Sequence, residues 1–102
     1  MRIEIRDKTN FIHMFNNIYK NNNISKINGI SIDSRKIMEN DIYIPVKGRK
    51  YDGHDFINES FKKGAIASFS EQKTIKKNII NTKSIIKEIS NLVKNWSELS
   101  KS

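Results

Sequence analysis

A chain of 102 residues is long enough for one domain with a core of its own and too short for two sizeable ones. It holds no cysteine, which excludes disulfides and thiolate metal sites, and no apolar run near the ~18 residues that a membrane-spanning helix requires. Lys and Arg number 19 against 11 Asp and Glu, giving a net charge of +8, yet with 36% hydrophobic residues in periodic clusters the chain still reads as globular.

In chain order, "MRIEIRDKTNFIHMF" alternates charged and apolar residues, which fits neither a secretory signal nor an acid-poor transit peptide, so the expected location is the cytoplasm. Phe11, Phe15 and Tyr19 recur at helical spacing, flanked by Ile12 and Ile18, and predict a helix capped by Thr9 and running to about Lys20. Three Asn residues at 21–23 end it. Ile24, Ile27, Ile30 and Ile32 lead into a strand that closes at Asp33, and "DIYIPVKG" supplies a second strand from Ile42 to Val46. Pro45 lacks an amide hydrogen, so this strand should have a free edge there or leave the sheet soon after.

Between Asp55 and Lys63, the apolar Phe56, Ile57 and Phe61 predict a short helix that Asp55 or His54 could cap, with Gly64 placed for a left-handed C-terminal stop. "AIASFS" follows as a buried strand, and "NII" near Ile79 as a weaker one. Ser84 then caps the clearest element, in which Ile85, Ile86, Ile89, Leu92, Val93, Trp96 and Leu99 form one apolar stripe. Strands alternating with helices predict an α/β fold with a mixed or mostly parallel sheet.

Most of the excess charge comes from Lys62, Lys63, Lys73, Lys76, Lys77, Lys83, Lys87, Lys94 and Lys101 against Glu71, Glu88 and Glu98. These lysines are not interleaved with stacking aromatics, so they read as a solvated face and not as a nucleic-acid site.

Two polar clusters fall beyond the carboxyl ends of predicted strands, where ligands of open α/β sheets usually sit. Asp33, Ser34 and Arg35 bring an acceptor, a hydroxyl and a planar cation together, enough either to hold a polar ligand or to close a turn with an Asp33–Arg35 pair. Gly48 with Arg49 and Lys50 suits an anion-receiving turn, or equally an exposed basic one. "YDGHDF" is a turn in which His54 serves as a cap or brace, since no nucleophile with a fixed partner is visible. His13 has no second ligand at metal spacing, and no glycine opens a GxxxxGK[ST] phosphate loop.

The order "DSR", Asp41, an apolar strand, "KG", "DGHDFI" and "KKGA" resembles the N-terminal domain of the Mur ligases, in the MurE and MurF branch, without a gap from Gly29 to Ala67. The late amphipathic helix is similar to the family's helix leading into its central domain. The resemblance implies that residues 1–102 are one N-terminal domain, holding the uridine diphosphate end of a UDP-MurNAc-peptide, with a central ATP- and Mg2+-binding domain and a C-terminal domain lying beyond it. It places the nucleotide against Asp33, Ser34, Arg35, Gly48, Arg49, Lys50 and Tyr51, with Asp52, Gly53 and His54 shaping the loop. No catalytic residue, metal or cofactor is expected in the fragment itself.

Asn40 departs from the family's usual Gly, which a left-handed turn tolerates, and "IYIPV" replaces the commoner "LFVAL". The run "NTKSIIKEISNLVKNWSELSK" and the strand ending "IPVKG" resemble MurF, which adds D-alanyl-D-alanine to the tripeptide, more than MurE, which adds the third amino acid to the dipeptide. The expected partner is the nucleotide substrate, with neither nucleic acid nor membrane, and the expected state is a monomer. The alternatives are a non-enzymatic basic anion- or nucleic-acid-binding module and a scaffold whose polar loops are only structural.

Overall fold

The computed structural model describes residues 1–100; Lys101, counted above among the late lysines, and Ser102 lie outside them. Five strands form one mixed sheet in the order β1-β2-β3-β4-β5: Arg2–Glu4, Gly29–Ser31, Ile42–Tyr43, Ala67–Ser70 and Ile79–Asn81. β1 runs antiparallel to β2, and every other neighbouring pair is parallel. The expected mixed α/β sheet is therefore present, and its strand ends define where the polar loops emerge.

Alternation along the strands divides the side chains between two faces. On the thicker side, Ile30, Ile42, Ile44, Ala67, Phe69 and Ile80 pack against helices α1 (Lys8–Ile18) and α3 (Ile85–Asn95). Phe11, Phe15 and Tyr19 of the first helical stripe reach this core, where Phe15 and Tyr19 meet Phe69 edge-on at 6.5 and 5.4 Å between ring centroids. On the thinner side, Ile37, Tyr43, Ile57, Ala65 and Ile79 form a second cluster beneath α2 (Ile57–Lys62). The register Ser31, Tyr43, Ser68, Ile79 places a small serine on either side of Tyr43, leaving its ring room to lie buried on this face.

Several boundaries differ from those expected, each for a local reason. α1 begins at Lys8 and is capped by Asp7, whose carboxylate accepts from the Asn10 amide, so Thr9 lies inside the helix. The helix stops at Ile18, where Tyr19 leaves helical backbone at φ −111° and ψ 66°, and the Asn16 side chain holds the returning chain by bonding both the amide and the carbonyl of Ile24. β3 is only Ile42–Tyr43 and not Ile42–Val46: Ile44 still donates to the Ser31 carbonyl, but the buried Pro45 has no hydrogen to continue the ladder. The segment 55–63 divides into a 3-10 turn, Gly53–Phe56, and α2; its cap is Asp52, which accepts from the His54 amide, and not Asp55 or His54.

Ser84 caps α3 as its sequence indicates, its hydroxyl accepting from the Lys87 amide. The stripe beyond it is broken at Trp96, which is extended at φ −140°, and resumes as the single turn α4 (Ser97–Ser100). The break lets Trp96 meet Phe11 edge-on at 5.3 Å and donate its indole N–H to Glu98. β1 was not foreseen as a strand, for its three residues acquire strand character only by pairing with β2.

Gly64 ends α2 with φ +107°, and the turn it makes passes so close to Glu39 that an added Cβ would lie 2.9 Å from the Glu39 Cα. Asn40 takes the left-handed conformation expected of it, φ 65°, and donates to the Gly64 carbonyl. Next to it Asp41 is fully buried and accepts two hydrogen bonds from the Arg2 guanidinium, at 2.6 and 2.8 Å, and a third from the Met38 amide. This ion pair fastens β1 to the start of β3.

Candidate functional site

Beyond the carboxyl ends of β2 and β3 lies an open cleft of about 210 Å³ lined by Ile32, Asp33, Ser34, Arg35, Tyr43, Tyr51 and Phe56. One wall is a 3-10 turn, Ser34–Lys36, capped by Asp33 through the Arg35 amide. Its approach is fixed by Ser31, whose hydroxyl accepts from the Asp33 amide and donates to the Asp33 carbonyl. Ser34 is thereby buried at the base of the cleft, while Arg35 projects outward with its side chain 81% exposed.

Arg35 does form a pair with Asp33, Nε to Oδ1 at 3.1 Å and Nη2 to Oδ2 at 3.0 Å. The Arg35 hydrogen bonds, side chain first and backbone second, hold the Asp33 carboxyl down at about 2. Asp33 is therefore an anion at neutral pH, and the pair leaves most of the guanidinium facing solvent, where it can still meet a second anion.

The opposite wall is a hairpin whose base is the bridge between Lys47 and Asp52, with Gly48 donating to the Tyr51 carbonyl across the turn. Gly53 seals the base by donating to the Val46 carbonyl; a Cβ there would lie 2.7 Å from the Val46 nitrogen, so only glycine allows this approach. The hairpin carries the exposed Tyr51 into the cleft, where its ring meets Phe56 edge-on at 5.8 Å. Gly48, Arg49 and Lys50 sit exposed at the tip and do not line the cleft itself.

Asp52 and His54 brace this wall from behind. Asp52 Oδ1 accepts from both the amide and the ring Nδ1 of His54, and Lys47 stands 4.0 Å from the other oxygen. These bonds, the amide first, hold the Asp52 carboxyl below its ordinary range. The two walls are joined by Tyr43, whose hydroxyl donates to the Gly53 carbonyl at 2.8 Å while burial pushes its pKa up to about 12. Sequence reasoning missed Ser31, Tyr43 and Phe56 as parts of this site. Ser31 was recoverable from the Ser-x-Asp spacing of a side-chain turn, whereas Tyr43 reads only as one more strand residue.

The cleft offers an anchored hydroxyl, a carboxylate, an outward cation and exposed aromatic edges, a set suited to a polar ligand that carries a flat ring and an anionic group. Residues 26–98 match the Mur ligase family, catalytic domain. The chain belongs to the Mur ligase family. It is 47% identical over 58 residues to the UDP-N-acetylmuramoyl-L-alanyl-D-glutamate:2,6-diaminopimelate ligase of Buchnera aphidicola, covering 57% of this chain and 12% of that protein. To the UDP-N-acetylmuramoyl-tripeptide:D-alanyl-D-alanine ligase of Treponema pallidum it is 42% identical over 45 residues, 44% of this chain and 10% of the relative. Its fold matches the MurF ligase of Thermotoga maritima, solved in complex with ADP, with a TM-score of 0.58 and 34% identity over 62% of this chain and 15% of that one. The chain thus spans about an eighth of the length of the curated relatives it matches.

Proposed function

We propose that residues 1–102 form the N-terminal domain of a longer ATP-dependent ligase of peptidoglycan synthesis, and that this domain binds the uridine diphosphate end of a UDP-MurNAc-peptide. The observation carrying this reading is the cleft at the ends of β2 and β3, which brings the Asp33-Ser34-Arg35 turn and Tyr51 to one place. The buried Ser34 hydroxyl and the Asp33 carboxylate serve the polar edges of the nucleoside, and Tyr51 borders its ring. Arg35, with Arg49 and Lys50 near the hairpin tip, attracts the diphosphate, Gly48 lets the backbone turn there, and Asp52, Gly53 and His54 keep the hairpin in shape.

In the whole enzyme, ATP and Mg2+ would act in a separate central domain to activate the substrate carboxylate for attack by the incoming amine. This domain would contribute binding energy from a remote handle, which orients the reacting carboxylate. Alone it binds and does not catalyse. We read it further as a cytoplasmic monomer that engages neither nucleic acid nor membrane; none of its helices is long and apolar enough to cross one, among the described residues.

The particular ligase is read as the MurF type, adding D-alanyl-D-alanine to the tripeptide, on the strength of the late amphipathic run and the MurF structural match. A second reading, the MurE type, is favoured by the 47% identity to a diaminopimelate-adding ligase. Calorimetric titration of the chain with UDP, UDP-MurNAc-tripeptide and ATP tests the domain's role. Binding of the first two but not ATP, weakened about tenfold or more by Ser34→Ala, is expected; ATP hydrolysis by this chain would contradict it. The branch is decided by whether the full-length ligase uses the dipeptide or the tripeptide substrate.

A further inference from the structure

His54 is almost wholly buried, its side chain 2% exposed, and both ring nitrogens are engaged. Nε2 lies 2.9 Å from the Glu71 amide, a group that can only donate. The ring is therefore an acceptor at Nε2, which leaves its single hydrogen on Nδ1, directed at Asp52 2.7 Å away. Glu71 in turn accepts the first free amide of α3, Ile85, through its own carboxylate at 2.8 Å. A continuous chain of hydrogen bonds thus runs from the cleft hairpin, through the His54 ring, to the end of β4 and the start of α3.

We infer that the neutral His54 imidazole is a positioning residue that tethers the Lys47–Gly53 hairpin to the β4–α3 side, and that a second ring proton releases this tether and weakens ligand binding in the cleft. The inference rests, for the ligand, on the uridine reading above. The charged groups around the ring act in opposite directions. Asp52 and Lys47 belong to the hairpin and Asp55 to the ring's own turn, while Glu71 follows β4; Lys73 and Lys76 face it across a hollow of about 170 Å³. On the α3 side, Ile85 and Ile86 border a second hollow of about 230 Å³ and bring no charge.

The carboxylates favour a cationic ring and the lysines oppose it, but neither alters the local geometry at Nε2. A proton there puts two donors face to face and removes the acceptor from the Glu71 amide. The Nδ1 bond to Asp52 survives, so the hairpin stays folded on itself while losing its outer anchor. Tyr51, carried by that hairpin, is then no longer held at one position over the cleft.

The test uses the chain itself between about pH 8 and about pH 5, the interval in which imidazoles change charge. Long-range proton–nitrogen spectra report the His54 tautomer, amide exchange gives protection factors for Glu71, Gly48 and Gly53, and calorimetry measures UDP affinity. At the upper limit the ring is expected to be neutral with its hydrogen on Nδ1. As it gains its second proton, Glu71 protection should fall about tenfold while the hairpin glycines, bonded within the hairpin, keep theirs, and UDP affinity should drop several-fold. His54→Gln keeps an acceptor for the Glu71 amide but cannot titrate, so its profiles should be flat.

A hydrogen on Nε2 at the upper limit, or protection that ignores the ring's titration, would overturn the tether, and a ring that stays neutral throughout would overturn its release. Matching pH profiles in wild type and His54→Gln would do the same. Protection that falls while UDP affinity stays constant would sever the tether from the cleft. Absence of UDP binding at every pH would overturn the uridine reading, and the exchange data would still decide the tether. Should His54→Gln not fold, the wild-type Glu71 profile decides alone.

Discussion

Asp41 has no contact with water and three hydrogen bonds, two of them from a guanidinium 39 positions away in the chain. Removing one partner of such a pair strands the other, which is far more damaging than replacing both by apolar residues. Asp41→Ala should therefore lower unfolding free energy by about 3 kcal/mol or more in denaturant titration. Asp33 behaves differently, because its partner is exposed and its effect appears mainly as pH dependence. Its carboxyl is depressed from 3.8 to about 2 on folding, so its stabilisation is complete above its ordinary value and is lost as pH falls from about 4 to about 2. Asp33→Asn should flatten that part of the acid-unfolding curve, as followed by circular dichroism; an unchanged curve would show that the pair does not couple to folding. In the sequence, Asp33 and Arg35 were legible as a local unit because they are neighbours. The Arg2–Asp41 pair was not, because nothing in either residue's surroundings points to the other.

Elements were legible in proportion to how much of their structure is local. The periodicity of 85–95 is enough to define α3, since each buried position repeats the reason for the last. Its end at Trp96 depends on Phe11 and on Glu98, and Glu98 also accepts the Arg6 and Asp7 amides ahead of α1. No pattern within one helix carries that information. Gly64 lies at the other extreme, a single residue that sets an element's end by backbone conformation. Gly64→Ala should destabilise the domain by about 1–3 kcal/mol, since φ +107° strains any side chain and the new methyl would crowd Glu39. Thermal unfolding would measure it, and a neutral result would mean that the α2–β4 turn relaxes freely.

For the whole molecule, the alternation of apolar runs and turn residues conveyed an α/β fold and two polar loops at strand ends. What closes those loops into one cleft was hidden: Tyr43 looks like core, and only the three-dimensional register shows its hydroxyl reaching the Gly53 carbonyl. The strand order carries one more consequence. Because every strand lies beside its predecessor in the chain, each pairing closes a short segment, and the sheet can be assembled step by step without waiting for distant parts to meet. The longest-range contacts lie outside the sheet, among them the meeting of Glu98 with the Arg6 amide, 92 positions apart, which joins the start of α1 to α4. Closing so long a loop costs more chain entropy than any strand pairing, so amide exchange is expected to show this clasp opening at lower free energy than the links of the sheet.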